Sequence, residues 1–193
     1  MKRVGLFMFA VVAIALMFSG NALAQGDNSV YFVTYYANNV SGAPDGTVRF
    51  INDGDTGGSL YADIYVFDDS QELQACGSCQ ITPDGLLSED VKTQLTDNPV
   101  TGRIPTRGVI KVISDAYPNN ADSPSPLAGL RGWATHIQRA TPTSGAYATT
   151  ETPVADSNLS STESTLLGNL CYYAGLLGSG NGTVTCSLED HDF

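Results

Sequence analysis

The sequence predicts a mainly β protein: an antiparallel β-sandwich of immunoglobulin-like or jelly-roll-like type, with one helix near its C-terminus. Three observations lead there. Apolar residues fall in short runs of strand length. Gly, Pro, Asn and Asp punctuate those runs at close intervals, and helical spacing is sustained only once, late in the chain.

The first element is not part of that fold. Lys2 and Arg3 precede an unbroken apolar run from Val4 to Phe18, and Ala22-Leu23-Ala24 supplies the small-x-small pattern of a cleavage site. Residues 1–24 are therefore expected to be a cleaved signal peptide, with the cut before Gln25. An uncleaved anchor is the competing reading, but the run is 15 residues long, short of the roughly 20 that a spanning helix needs. The remaining 169 residues, 25–193, suit a single β-rich domain. The expected address is extracytoplasmic: periplasm, cell surface or medium.

Without the leader, seven Lys and Arg face 20 Asp and Glu, so a net charge of −11 becomes −13. Nucleic-acid phosphates and anionic lipid headgroups would be repelled by that balance. No second long apolar run follows, so no stable membrane insertion is expected.

Ser29 to Ala37 reads as a strand apolar on both faces, with Val30, Phe32 and Tyr36 on one side and Tyr31, Val33 and Tyr35 on the other. Such a strand is central in its own sheet, or it completes a neighbour's. Tyr31, Phe32, Val33, Tyr35 and Tyr36 are thus a candidate interaction strand for a homo-oligomer or a cell-surface partner. Thr47 to Asn52 and Leu60 to Asp68 are the next strands, separated by a Gly- and Asp-rich turn. The second alternates cleanly, with Leu60, Ala62, Ile64 and Val66 opposite Tyr61, Asp63, Tyr65 and Phe67. Leu73 to Ile81 is extended, and Ser88 to Leu95 fits helix and strand equally. Gly108 to Ser114 and Arg131 to Gln138 are strands, the latter with Trp133 and Ile137 inward and His136 on the surface. From Thr141 to about Thr165, and most densely over 141–160, Ser, Thr, Ala and Pro dominate, as in a long surface loop. Ser160 and Glu163 form a capping box that starts a helix near Ser161. Its apolar stripe is Leu166, Leu167, Leu170, Tyr173, Ala174 and Leu177, although Gly168 and Gly175 weaken it. Thr183 to Leu188 reads as a last strand.

Four cysteines in an exported chain point to two disulfides in one of three pairings. Cys76–Cys79 with Cys171–Cys186 is the preferred set. Cys76-Gly77-Ser78-Cys79 also matches the spacing of a redox dithiol, which makes an extracytoplasmic thiol-disulfide protein the rival function. That chemistry needs a thiolate at a helix N-terminus, whereas Gln80-Ile81-Thr82-Pro83 follows here. A four-cysteine zinc site lacks a close second pair.

Asn52, Asp53 and Asp55 offer hard oxygens for calcium, with Asp68 and Asp69 as further carboxylates, but the spacing lacks the full loop pattern. A solvated acidic turn explains the same residues more simply. Asp55-Thr56-Gly57 matches the aspartic-protease triplet without a second copy to form the dyad. No Gly-x-Ser-x-Gly elbow or phosphate-binding glycine loop is present. His191 lies in an acidic tail, and Asn39, Asn158 and Asn181 begin glycosylation sequons.

The segment Thr47 to Asp68 resembles the hairpins of immunoglobulin-like bacterial surface modules. Across the chain, Tyr65 to Asp68, Cys76 to Gly85, Asn98 to Gly102, Gly108 to Ser114 and Gly129 to Gln138 resemble an uncharacterised group of small secreted bacterial proteins. That likeness implies a bacterial source and export, and it assigns no site. The function expected from the sequence is a secreted, non-enzymatic protein with a structural, adhesive or binding role and no obligatory cofactor.

Overall fold

A computed structural model describes residues 28–37, 42–139 and 146–186. The leader, Asn39 and His191 lie outside the described residues. Nine strands form two antiparallel sheets packed face to face. They are β1 (Tyr31–Ala37), β2 (Thr47–Asn52), β3 (Leu60–Asp68), β4 (Leu73–Ile81), β5 (Leu86–Asp90), β6 (Arg107–Asp115), β7 (Leu130–Arg139), β8 (Tyr147–Pro153) and β9 (Ala155–Asp156). One sheet runs β4-β3-β6-β1-β9 and the other β5-β2-β7-β8. The one α-helix among the described residues, α1 (Ser161–Leu177), lies on the outer side of the five-stranded sheet.

Alternation along β3 creates two cores. Leu60, Ala62, Ile64 and Val66 point between the sheets and join Phe32, Phe50, Ile110, Val112 and Leu130. The rings of Phe32 and Phe50 meet edge to face with centroids 5.6 Å apart. Tyr65 points outward, yet it is fully buried with Tyr31, Ile113, Ala121, Leu167 and Ala174 beneath the helix and the loop after β6. The five-stranded sheet is thus covered on both faces, which is why β1 and β3 are apolar on both sides.

Ser160 caps α1 as its pattern predicts: the side-chain oxygen accepts from the Glu163 amide at 3.1 Å. The buried face is narrower than the apolar stripe. Leu167 and Ala174 are buried, whereas Leu166, Tyr173 and Leu177 stand in water. The two glycines differ in cause. A Cβ on Gly168 would come 2.6 Å from the carbonyl oxygen of Asp122, so a bare backbone is what lets the helix approach that loop. A Cβ on Gly175 would meet nothing within 4 Å. Gly168→Ala is accordingly expected to destabilise by about 1–3 kcal/mol through overpacking. Gly175→Ala is expected to stabilise by up to about 1 kcal/mol through helix propensity. Urea unfolding of both variants checks this, and equal signs would contradict the packing.

Four expectations are corrected. The Thr47 to Asp68 segment is not a hairpin, because β2 pairs with β5 and β7 while β3 pairs with β4 and β6. Both neighbours of each strand are already taken, so the turn carries the chain from one sheet to the other. The Ser/Thr-rich stretch forms β8 and β9: Thr- and Tyr-bearing residues pair with β7 from Trp133 to Arg139, although β8 remains exposed along its length. His136 is buried on the face of Ala134, and Trp133 is only half-buried. Gly132 sets that face, since a Cβ there would strike the Phe50 ring and Val154. Over residues 183–186 of the expected last strand, Thr183 forms a single parallel bridge to Cys76 and no strand opens, while Ser187 and Leu188 lie outside the described residues. The ambiguous 88–95 segment divides into the end of β5 and one wide helical turn, Val91–Leu95.

Candidate functional site

The cysteines do not pair as preferred. Cys76 bonds Cys171 and Cys79 bonds Cys186, with Cα atoms 5.7 and 5.5 Å apart. The correction follows from strand geometry. Cys76 and Cys79 are three residues apart on β4, an odd number, so their side chains leave opposite faces. Cys76 belongs to the outer core under the helix and Cys79 to the core between the sheets. One bridge therefore clamps α1 to the sheet. The other ties down the segment after the helix, whose backbone runs along the free edge of β4 through Cys76 N–H to Gly182 O at 2.8 Å and Val184 N–H to Cys76 O at 3.0 Å. Gly77 permits this approach, because a Cβ there would lie 3.1 Å from Val184 Cβ.

The clamped pieces enclose a groove of about 550 Å³. Tyr172, Gly175 and Leu176 of α1 form one wall, Thr183 and Val184 the opposite one, and both disulfides contribute to the lining. Asn119, Ala121 and Asp122 of the loop after β6 close one end, with Ser78 of β4. Two outward-facing strand residues hold that loop. Tyr65 donates its hydroxyl to Ala121 O at 2.7 Å. Asp115 accepts from the amides of Tyr117 and Ser125 and from the Asn120 side chain.

Beside the groove sits a fully buried carboxyl, Asp63, opposite Ser78 on β4 and Ile113 on β6. Neither of its oxygens, nor Ser78 Oγ, makes a hydrogen bond of standard geometry. Burial pushes the Asp63 carboxyl up to about 8. The Ser78 hydroxyl opposes that shift, and the carboxylates of Asp115 and Asp122 add to it. Asp63 is thus a neutral acid at pH 7, sealed under the loop rather than presented to solvent. At the other end of the helix, Glu163 accepts from Tyr31 Oη at 2.9 Å and Lys111 Nζ at 2.5 Å. Partial burial raises its pKa, but these two bonds outweigh it and hold the carboxyl below the usual range.

The residues singled out for calcium share one turn, where the side chains of Asn52 and Asp53 are engaged and Asp55 is exposed. The Asn52 amide donates to Gly58 O and Ile81 O and accepts from the Gly54 amide. Asp53 accepts from the Asp55 amide and faces Arg131 at 3.4 Å. Asp68 and Asp69 are not brought to them, because the nine residues of β3 intervene, roughly 25–30 Å of extended chain. Asp68 instead organises its own turn, and Asp69 pairs with Arg107 at 2.6 Å. Among the described residues no group of three or more His, Cys, Asp or Glu is placed to hold a metal ion.

The candidate interaction strand is occupied within its own sheet: β1 pairs with β6 over all seven residues and with β9 at Phe32 and Val33. Tyr31, Phe32 and Tyr36 are buried, Val33 is half-buried, and Tyr35 is exposed. Tyr35 stacks on His136 with centroids 4.1 Å apart, and His136 Nε2 lies 3.2 Å from Thr152 Oγ1. Burial lowers the His136 pKa, favouring the neutral ring.

The sequence carried one unused signal for this region. Asp63 is the only charged residue between Leu60 and Phe67 in a strand apolar on both faces. Nothing local announced Ser78, Asp122, Tyr172 or Leu176 as neighbours of one groove. Comparison with known protein families, curated proteins and solved structures finds no match.

Proposed function

We propose that this chain is a secreted, non-enzymatic binding protein of bacterial origin that takes an apolar ligand or a partner's apolar side chains in the groove beside α1. The groove carries this reading. Its volume of about 550 Å³ falls in the usual range for small-molecule sites, and its walls are held by covalent bridges rather than by mobile loops. A pre-formed apolar cleft with a few polar groups at one end is suited to binding. The acidic net charge of the chain directs it away from nucleic acid and anionic membrane surfaces.

The rival thiol-disulfide function is weaker on geometric grounds. A redox dithiol must close on itself, and the sulfurs of Cys76 and Cys79 lie on opposite faces of β4, each joined to a distant cysteine.

The test uses an apolar fluorescent probe of solvent polarity. Native protein is expected to bind it with saturable enhancement. Gly175→Phe places a ring in the groove from a position whose Cβ direction is open, and it is expected to cut probe affinity at least about tenfold, roughly 1.4 kcal/mol, with unchanged circular dichroism. Absence of saturable binding to native protein, or binding untouched by Gly175→Phe, would refute the groove.

A further inference from the structure

On the solvent side of α1, next to the groove-lining stripe, Leu166, Leu170, Tyr173 and Leu177 follow one another at intervals of four, three and four residues. That is the a/d spacing of two helices packed along a seam. In this molecule the seam faces water except at Leu170, which is half-buried. Leu166 is 49 % exposed, Tyr173 57 % and Leu177 78 %, and Tyr172 and Leu176 beside them are 50 % and 60 % exposed. A helix that only covered its own sheet would present polar residues on that side. Apolar residues scattered singly over a surface need no explanation, but a contiguous patch of this kind marks a contact surface.

We infer that α1 is the interface of a symmetric homodimer, in which the seam of one copy packs against the same seam of a second. Three features single out a second copy. First, an a/d seam is complementary to itself, as a two-fold interface requires. Second, no residue from Ser164 to Cys186 is charged, in a chain of net charge −11. Two copies meeting elsewhere bring carboxylates together, whereas here they meet without like-charge repulsion. Third, the area suffices. The exposed share of two tyrosines and three leucines runs from 49 % at Leu166 to 78 % at Leu177, on the order of 500 Å² per copy when one aromatic side chain covers roughly 150–250 Å², with Tyr172 and Leu176 shared between this face and the rim of the groove. Two copies then bury about 1,000 Å², the lower bound for a specific interface, as in a weak dimer whose population depends on concentration. Cys76–Cys171 fixes the helix to the sheet, so association need not order a loose segment. The β1 strand is paired within its own sheet, and the dimer forms without strand exchange.

Sedimentation equilibrium of residues 25–193 between about 1 and 300 µM tests this against Leu177→Glu, Tyr173→Glu and a control, Leu86→Glu, on β5. The mass is expected to double across the range for native protein and for Leu86→Glu. Both seam variants are expected to stay monomeric with native circular dichroism, because a carboxylate would face its own copy across the seam. A native protein that stays monomeric to 300 µM overturns the inference. So does a dimer that survives both seam substitutions, which would point to a strand edge instead. Probe binding in the groove is measured on the same samples. A monomeric Leu177→Glu protein that still binds probe supports both readings, and a dimer without probe binding removes only the groove.

Discussion

Replacing Cys76 and Cys171 together by alanine is expected to lower the free energy of unfolding by about 3 kcal/mol. With Cys79–Cys186 intact, this bridge closes a covalent circuit of about 18 residues, 3 along β4 and 15 after Cys171, and the entropy withheld from the unfolded chain grows with loop length. A bridge between Cys76 and Cys79 would have withheld very little. The bridge also supplies a native-state constraint, since it holds α1 over Tyr31, Tyr65 and Ile113. Its loss should therefore increase apolar-dye binding before global unfolding. Reversible urea titration of the non-reduced variant reads the stability, and a loss below about 1 kcal/mol would mean that non-covalent packing alone fixes the helix. Removing Cys79 and Cys186 is expected to act differently. Their bridge secures the segment that covers the free edge of β4, and an uncovered edge strand pairs with other chains. Aggregation on warming, rather than release of the helix, is the expected outcome.

Stability should also fall as pH rises through neutrality, and Asp63 should be the cause. Its carboxyl is pushed up to about 8 in the folded protein, against roughly 3.9 in an unfolded chain. Between those values the folded state keeps a proton that the unfolded state releases. The contribution of Asp63 is fully present below about pH 4. It declines at up to about 1.4 kcal/mol per pH unit and is lost above about 8. Asp63→Asn keeps the shape and removes the ionisation. The variant is expected to match native protein near pH 4 and to exceed it in stability by several kcal/mol near pH 8. Glu163 acts in the opposite sense, because its lowered pKa gives stability that is lost only as pH falls through the acid range. The measurement is thus the difference between Asp63→Asn and native protein across pH 4–9. A difference independent of pH would show that Asp63 is ionised in the fold.

The legibility of the fold followed the range of the interactions. Strands β1 to β4, β6 and β7 and the cap at Ser160 were readable because alternation and capping involve neighbours in sequence. The β8 strand was missed because its Ser/Thr-rich sequence gains strand character only from pairing with β7. His136 was placed on the wrong face because the bare backbone of Gly132 against Phe50 and Val154, not residue polarity, sets the inward side of β7. At the site, all four bonded cysteines were named from the sequence, but their partners were not. A CxxC spacing looks like a pair along the chain, while in a strand it sends the two sulfurs to opposite faces.

By itself, the sequence determined a β-sandwich with one late, capped helix, two disulfides among four cysteines, and an acidic surface. Those properties depend on composition and on patterns a few residues long. Only the tertiary structure decided which sulfurs meet, which side of α1 is left in water, and that Asp63 lies sealed beneath a loop fifty residues further on. Each of these is a contact between distant segments, created when the chain crosses from sheet to sheet, and no local pattern encodes it.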